Sequence, residues 1–196
     1  NYTVTTTGDS CPSVSQGGTI IVKPLSTMSL TSAVATTNQT TCRNTAITNI
    51  SYTIGGSATG VTLAGTLPAG VTGTLASGVY TISGTPTNAG IFNYTVTTTG
   101  GCLPNIALGG TITVNEIPSI ALSSAPTTTS QNICMNTGLT PITYTIGGSG
   151  TGATVTGLPT GVTGNFSAGV FTISGTPTVA GTFNYTVTTT GGNCTA

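Results

Sequence analysis

The sequence predicts an all-β protein: a tandem of antiparallel β-sandwich repeats of about 92 residues. Three observations predict it. Apolar and polar residues alternate with period two, the signature of a half-buried strand. Gly and Pro interrupt these runs every ~8–12 residues, the spacing of turns in a sandwich. And the chain repeats itself at long range.

The repeat is read directly. NYTVTTTG occupies residues 1–8, 93–100 and 184–191. YTIGGSATG at 52–60 returns as YTIGGSGTG at 144–152, and SGTPT at 83–87 returns at 174–178. GGTIIV at 17–22 returns as GGTITV at 109–114, and Cys42-Arg43-Asn44-Thr45 returns as Cys134-Met135-Asn136-Thr137. The offsets are 91 or 92 residues, too long for most solenoid repeats and right for a small sandwich. Residues 1–23 therefore read as the C-terminal strands of a truncated repeat, 24–115 as a complete repeat, and 116–196 as a repeat lacking its last strand.

Within one repeat each run has a clear inward phase. Ile50, Tyr52 and Ile54 form one, Tyr80 and Ile82 another, then Phe92, Tyr94 and Val96, then Ile112 and Val114. Thr fills the outward positions, where a β-branched hydroxyl suits a wet pleated face. Gly55-Gly56, Pro68-Ala69-Gly70, Pro86 and Gly100-Gly101 mark the turns. No apolar stripe of period 3.6 is long enough for a helix. The aromatic residues Tyr52, Tyr80, Tyr94 and Phe92 fall on the inward phase, so they read as core rather than as a carbohydrate platform.

Composition excludes several classes. Thr makes up about a quarter of the 196 residues, and Asp9, Lys23, Arg43 and Glu116 are the only charges. Nucleic-acid binding needs phosphate neutralisation, and no basic patch exists to supply it. No apolar run approaches the ~20 residues of a membrane-spanning helix, so no membrane insertion is expected in this stretch. There is no His, which removes a Ser-His-Asp triad and an activated cysteine. Gly55-Gly56-Ser57-Ala58-Thr59-Gly60 lacks the Lys and helix of a phosphate loop and reads as a turn. Asn-x-Ser/Thr triplets at Asn1, Asn38, Asn49, Asn93, Asn165, Asn184 and Asn193 are what chance gives in a Thr-rich chain. No catalytic residue, cofactor or metal is expected.

The run Leu67-Pro68-Ala69-Gly70-Val71, then residues 78–87 ending Ser83-Gly84-Thr85-Pro86-Thr87, then Ala89-Gly90 and Phe92-Asn93-Tyr94-Thr95-Val96-Thr97, resembles a known family. It is similar to the Ig-like, cadherin-like tandem repeats of large secreted surface adhesins of Bacteroidota, including gliding-motility adhesins. The second repeat matches again at Leu158-Pro159-Thr160-Gly161-Val162 and from Gly169 to Val187. The resemblance implies an Ig-like sandwich and a structural role in an extracellular adhesin or fibre, as a disulfide-stapled stalk. Further copies of the repeat are the implied partners, with a surface glycan or protein bound at a distal end. The calcium sites of cadherin-type relatives need clustered carboxylates, which this sequence lacks.

Five cysteines, Cys11, Cys42, Cys102, Cys134 and Cys194, come at two per repeat. With no CxxC and no His, structural disulfides in an oxidising, extracellular setting are the expectation. In an Ig-like sandwich the N-terminal edge and the turn between the last two strands can share one end. The expected pairs are thus Cys42–Cys102 and Cys134–Cys194, with Cys11 bonded upstream of residue 1. The rival pairing, Cys11–Cys42 and Cys102–Cys134, ties neighbouring repeats together.

Two further readings stand beside the stalk. Gly17, Gly18, Thr19, Ile20, Ile21 and Val22 of one copy could complete residues 116–196 of another, giving a filament that grows by strand donation. Alternatively each repeat is a glycan- or protein-binding module, although the two repeats differ little in their loops.

Overall fold

The computed structural model describes residues 1–8 and 12–194. It opens with a hairpin of β1 (Tyr2–Thr5) and β2 (Ser15–Gly18), in which Tyr2 pairs with Gly18 and Thr5 with Ser15. Both strands are almost wholly exposed. Residues 19–22 continue beyond the hairpin outside any strand.

The next repeat runs through β3 (Thr27–Leu30), a 3-10 turn at Val34–Thr37, β4 (Asn38–Cys42), β5 (Ile50–Gly55), β6 (Gly60–Gly65), β7 (Val71–Ala76), β8 (Val79–Gly84), β9 (Gly90–Thr99) and β10 (Ala107–Asn115). These make two four-stranded sheets, ordered β3-β5-β8-β7 and β4-β10-β9-β6. The short connection after β3 carries the chain from the first sheet to the second. There β4 pairs with β10 in parallel, the one parallel strand pair in the repeat and a departure from the all-antiparallel expectation.

Alternation places the apolar residues between the sheets. Ile50, Tyr52, Ile82, Val96 and Ile112 are each 1% exposed or less. The hydroxyls of Tyr52 and Tyr94 meet across this core at 3.2 Å, so neither phenol is buried without a partner. Gly110 lets β10 cross that point: a Cβ there would lie 2.1 Å from the Thr37 carbonyl oxygen and 2.6 Å from the Tyr94 hydroxyl.

The following repeat is built the same way on one side only. β11 (Ser119–Leu122), a 3-10 turn at Pro126–Thr129, β12 (Ile142–Gly147), β13 (Gly152–Thr156), β14 (Val162–Ser167), β15 (Val170–Gly175) and β16 (Thr186–Thr190) follow in order. The sheet β11-β12-β15-β14 reproduces β3-β5-β8-β7. The opposite sheet is reduced to β13 and β16. Among the described residues no strand stands in the place of β10, and this accounts for two further losses. β4 is held in its sheet by β10 alone, so its counterpart at residues 130–134 is not a strand. Residues 90–93 of β9 pair with β10 but not with β6, and their counterparts at residues 181–184 are also irregular.

Candidate functional site

Two features bear on function: the junction between successive repeats, and the side of the second repeat that, among the described residues, has two strands in place of four.

The junction is covalent. Cys42, at the end of β4, bonds Cys194, which follows β16, with a Cα–Cα distance of 5.7 Å across 152 residues of chain. This overturns the expected pairs Cys42–Cys102 and Cys134–Cys194, and it is not the rival pairing either. The reason is the length of β9. Cys42 is paired with Asn115 at one end of β9 and β10, whereas Cys102 follows the other end of β9 and bridges to Leu25. Ten strand residues separate those ends, roughly 30 Å at the rise of a β-strand. A disulfide needs Cα atoms within ~7 Å. Cys42 therefore lies at the downstream end of its repeat and Cys194 at the upstream end of the next. Cys102 and Cys134 are free, the first partly buried and the second exposed. Cys11 lies outside the described residues.

Polar contacts surround the staple. The Arg43 amide donates to the Asn115 carbonyl at 2.9 Å. The Arg43 guanidinium pairs with Glu116 at 3.3 Å, the two side chains being 38% and 42% exposed. At the upstream end of the first repeat, Cys102 is held by bonds to Ser26 and Ser57. The Ser26 amide and hydroxyl both donate to its carbonyl, and its own amide donates to the Ser57 hydroxyl at 2.7 Å.

The open side of the second repeat is a groove of about 410 Å³. Gln131, Ile133, Ile142, Phe183 and Tyr185 are among the residues that line it. Sequence reading expected an open edge here, with residues 116–196 lacking a last strand, but did not single out the residues that line it. Phe183 is the counterpart of Phe92, which packs against the first repeat's core, yet Phe183 is 41% exposed. Tyr185 still meets Tyr144, hydroxyl to hydroxyl, at 2.9 Å. Burial first, and that hydrogen bond second, push the Tyr185 hydroxyl above its ordinary range.

The residues expected to donate a strand divide in two. Gly17 and Gly18 are taken up by β2. Thr19 donates its hydroxyl to the Asn1 side chain at 2.8 Å. Ile20, Ile21 and Val22 are 72%, 79% and 87% exposed. The aromatic residues Tyr52, Tyr80 and Tyr94 are buried in the core. Among the described residues no group of three or more His, Cys, Asp or Glu side chains is close enough to hold a metal. No described helix is long and apolar enough to cross a membrane.

This geometry is that of a tandem of Ig-like β-sandwiches. A solved three-domain Ig tandem of titin, I67–I69 in an E-to-A variant, superposes with a TM-score of 0.50 at 14% identity, covering 80% of this chain and 56% of that one. Another I67–I69 fragment of titin gives 0.48 at 12% identity, over 87% and 65% of the two chains. The chain thus spans less than two thirds of either, and the likeness at this identity is one of fold. These neighbours are structural Ig tandems. No family model and no curated protein matches the sequence.

Proposed function

We propose that this chain is a structural repeat region of an extracellular bacterial surface adhesin or fibre, whose work is to hold length and stiffness rather than to catalyse. The Cys42–Cys194 bond between successive repeats carries this reading. A bond inside one sandwich would stabilise that sandwich alone. A bond between neighbours fixes their relative placement by adding a second covalent connection to that of the main chain. It also implies an oxidising, extracellular location. Any distal glycan or protein contact belongs to the end of such a fibre.

Pulling single molecules from their two ends tests the stalk. With the bond intact, the chain between Cys42 and Cys194 cannot lengthen. Adding a reductant under load should release the 152-residue separation, roughly 500 Å at ~3.3–3.6 Å per extended residue. That length appearing without reductant would sink the stapled stalk. Labelling of intact, unpermeabilised source cells by an antibody to the repeat tests the location.

A further inference from the structure

We propose that the chain associates side by side with a second copy of itself through the free edges of β7 and β14, each of which pairs antiparallel with a β7 or β14 edge of the other copy. This association goes beyond the stalk and would hold wherever the protein resides.

Sheet edges are normally protected, because a row of unpaired amides and carbonyls recruits any strand that meets it. The usual protections are missing from these two. Among the described residues β7 has β8 as its one paired neighbour, and β14 has β15. Neither strand carries a charge or a proline; they read VTGTLA and VTGNFS. Their registers with β8 and β15 run one to one, so no bulge twists the edge away. At six residues each has the length of an ordinary strand. The opposite edges of the same sheets, β3 and β11, are only four residues long.

The hairpin turn decides which backbone groups face outward. Ser77 and Gly78 form a two-residue loop with φ of 49° and 77°, which makes the flanking Ala76 and Val79 a hydrogen-bonded pair. Antiparallel alternation then turns the amides and carbonyls of Thr72, Thr74 and Ala76 toward β8. The Thr85 amide, which donates to the Gly70 carbonyl at 3.1 Å, keeps the same phase. Those of Gly73 and Leu75 therefore point to the free side. The second repeat copies this through Ala168 and Gly169, at φ 48° and 81°, and leaves Gly164 and Phe166 facing outward.

A two-fold axis at Thr74 sets Gly73 of each copy against Leu75 of the other, and each such pair exchanges both N–H···O bonds. β7 against β14 keeps the register, with Thr74 opposite Asn165, Gly73 opposite Phe166 and Leu75 opposite Gly164. Side chains agree with it. Leu75 has the inward phase yet is 39% exposed, because nothing lies beyond β7. A Cβ on Gly73 would run into the Tyr80 hydroxyl, and one on Gly164 into the Phe171 ring. An aromatic ring thus reaches the place of the absent side chain, and Leu75 or Phe166 of the second copy would cover it. Asp9, Lys23, Arg43 and Glu116 lie on neither strand, so no repulsion opposes the approach. One edge is a small contact. Two per chain, on repeats tied by Cys42–Cys194, add their effects.

Sedimentation of the purified 196-residue chain should show reversible association. Thr74 and Asn165 are exposed, so charging them leaves each sandwich intact. T74K combined with N165K, and T74D combined with N165D, should each weaken association at least about tenfold, because like charges then stand directly opposite. Mixing the lysine and aspartate chains should restore it. T81K with T172K, on the outer face of the central strands β8 and β15, should leave association unchanged, as should T62K with T154K on β6 and β13. A monomeric parent chain, or charged edges that fail to rescue each other, overturns the pairing. Loss with T81K and T172K would assign the contact to stacked faces, and loss with T62K and T154K to the other edge; either overturns it as well. None of these outcomes alters the Cys42–Cys194 pulling result, so the stalk stands or falls separately.

Discussion

As far as the described residues run, the two repeats share a sequence pattern and differ in one strand, and the difference shows what that strand does. Around β10 the first repeat gathers ten buried apolar residues into one core, Ile112 and Val114 among them. The second repeat has five in its cluster, with Leu139, Tyr144, Tyr185 and Val187 only partly buried. Their counterparts Ile47, Tyr52, Tyr94 and Val96 are 5% exposed or less. One strand of nine residues therefore closes the core, forms β4 as a strand and extends β9 by half its length. Cooperativity of this kind is what β-sheet edges produce: each strand is ordered by a neighbour that is itself ordered.

The largest expected effect follows from removing that closure. Ile112→Ala should destabilise the first repeat by about 3 kcal/mol, through lost transfer energy and the cavity left behind. For a domain of this size that lowers its melting temperature by roughly 15 °C. The second repeat should melt where it did before, since the site lies outside it. Calorimetry with hydrogen exchange resolved by repeat reads both. A loss shared equally between the repeats would break the comparison, because it would mean they fold as one unit.

The tyrosine pairs sharpen it. Tyr52→Phe removes one hydroxyl of a buried pair and should cost about 1–2 kcal/mol, since it leaves the Tyr94 hydroxyl without its partner. Tyr144→Phe acts on a pair that is only part-buried and should cost about half as much, because water can replace the lost hydroxyl. Alkali probes the same groups. Burial, and secondarily the hydrogen bond with Tyr52, hold the Tyr94 hydroxyl far above its ordinary value near 10. Burial raises Tyr80 as well. The unfolded chain releases these protons near pH 10 while the folded chain keeps them. Stability should therefore be unchanged below pH 9 and fall as pH rises past 10. Urea titrations at pH 8 and pH 11 check this. A first repeat equally stable at both would contradict the burial of Tyr94.

Much of the fold was legible because period-two alternation is a local property. Ile50, Tyr52, Ile82, Val96, Ile112 and Val114 were placed inward from their spacing alone, and all are buried. The turn at Gly55-Gly56 was likewise read from its residues, and Gly56 takes the left-handed conformation such a turn requires, at φ 65°. The disulfide was not legible. Cysteine spacing repeats every 91 or 92 residues, so a bond within one repeat and a bond to the next look alike in sequence. Only the opposite placement of Cys42 and Cys102 along β9 separates them. The parallel pairing of β4 with β10 was hidden for the same reason: it joins residues more than 70 apart, with no hairpin turn between them to announce it.

The smallest expected effect concerns charge at the junction. The Arg43–Glu116 pair is the one salt bridge among the described residues, and both side chains are more than a third exposed. Such pairs contribute ~0–1 kcal/mol and weaken with salt. Their counterparts one repeat away are Met135 and Pro24, so the pair cannot recur, whereas the cysteine positions do. Glu116→Gln should then shift stability by less than about 0.5 kcal/mol, and should leave the Cys42–Cys194 bond and its pulling signature unchanged. A larger loss, one that salt removes from the parent protein as well, would assign the placement of the repeats to charge. The absence of charge elsewhere argues for the other source. With four charged residues in 196, neighbouring repeats have little charge to align them, and the link the structure shows between them is sulfur, the Cys42–Cys194 bond.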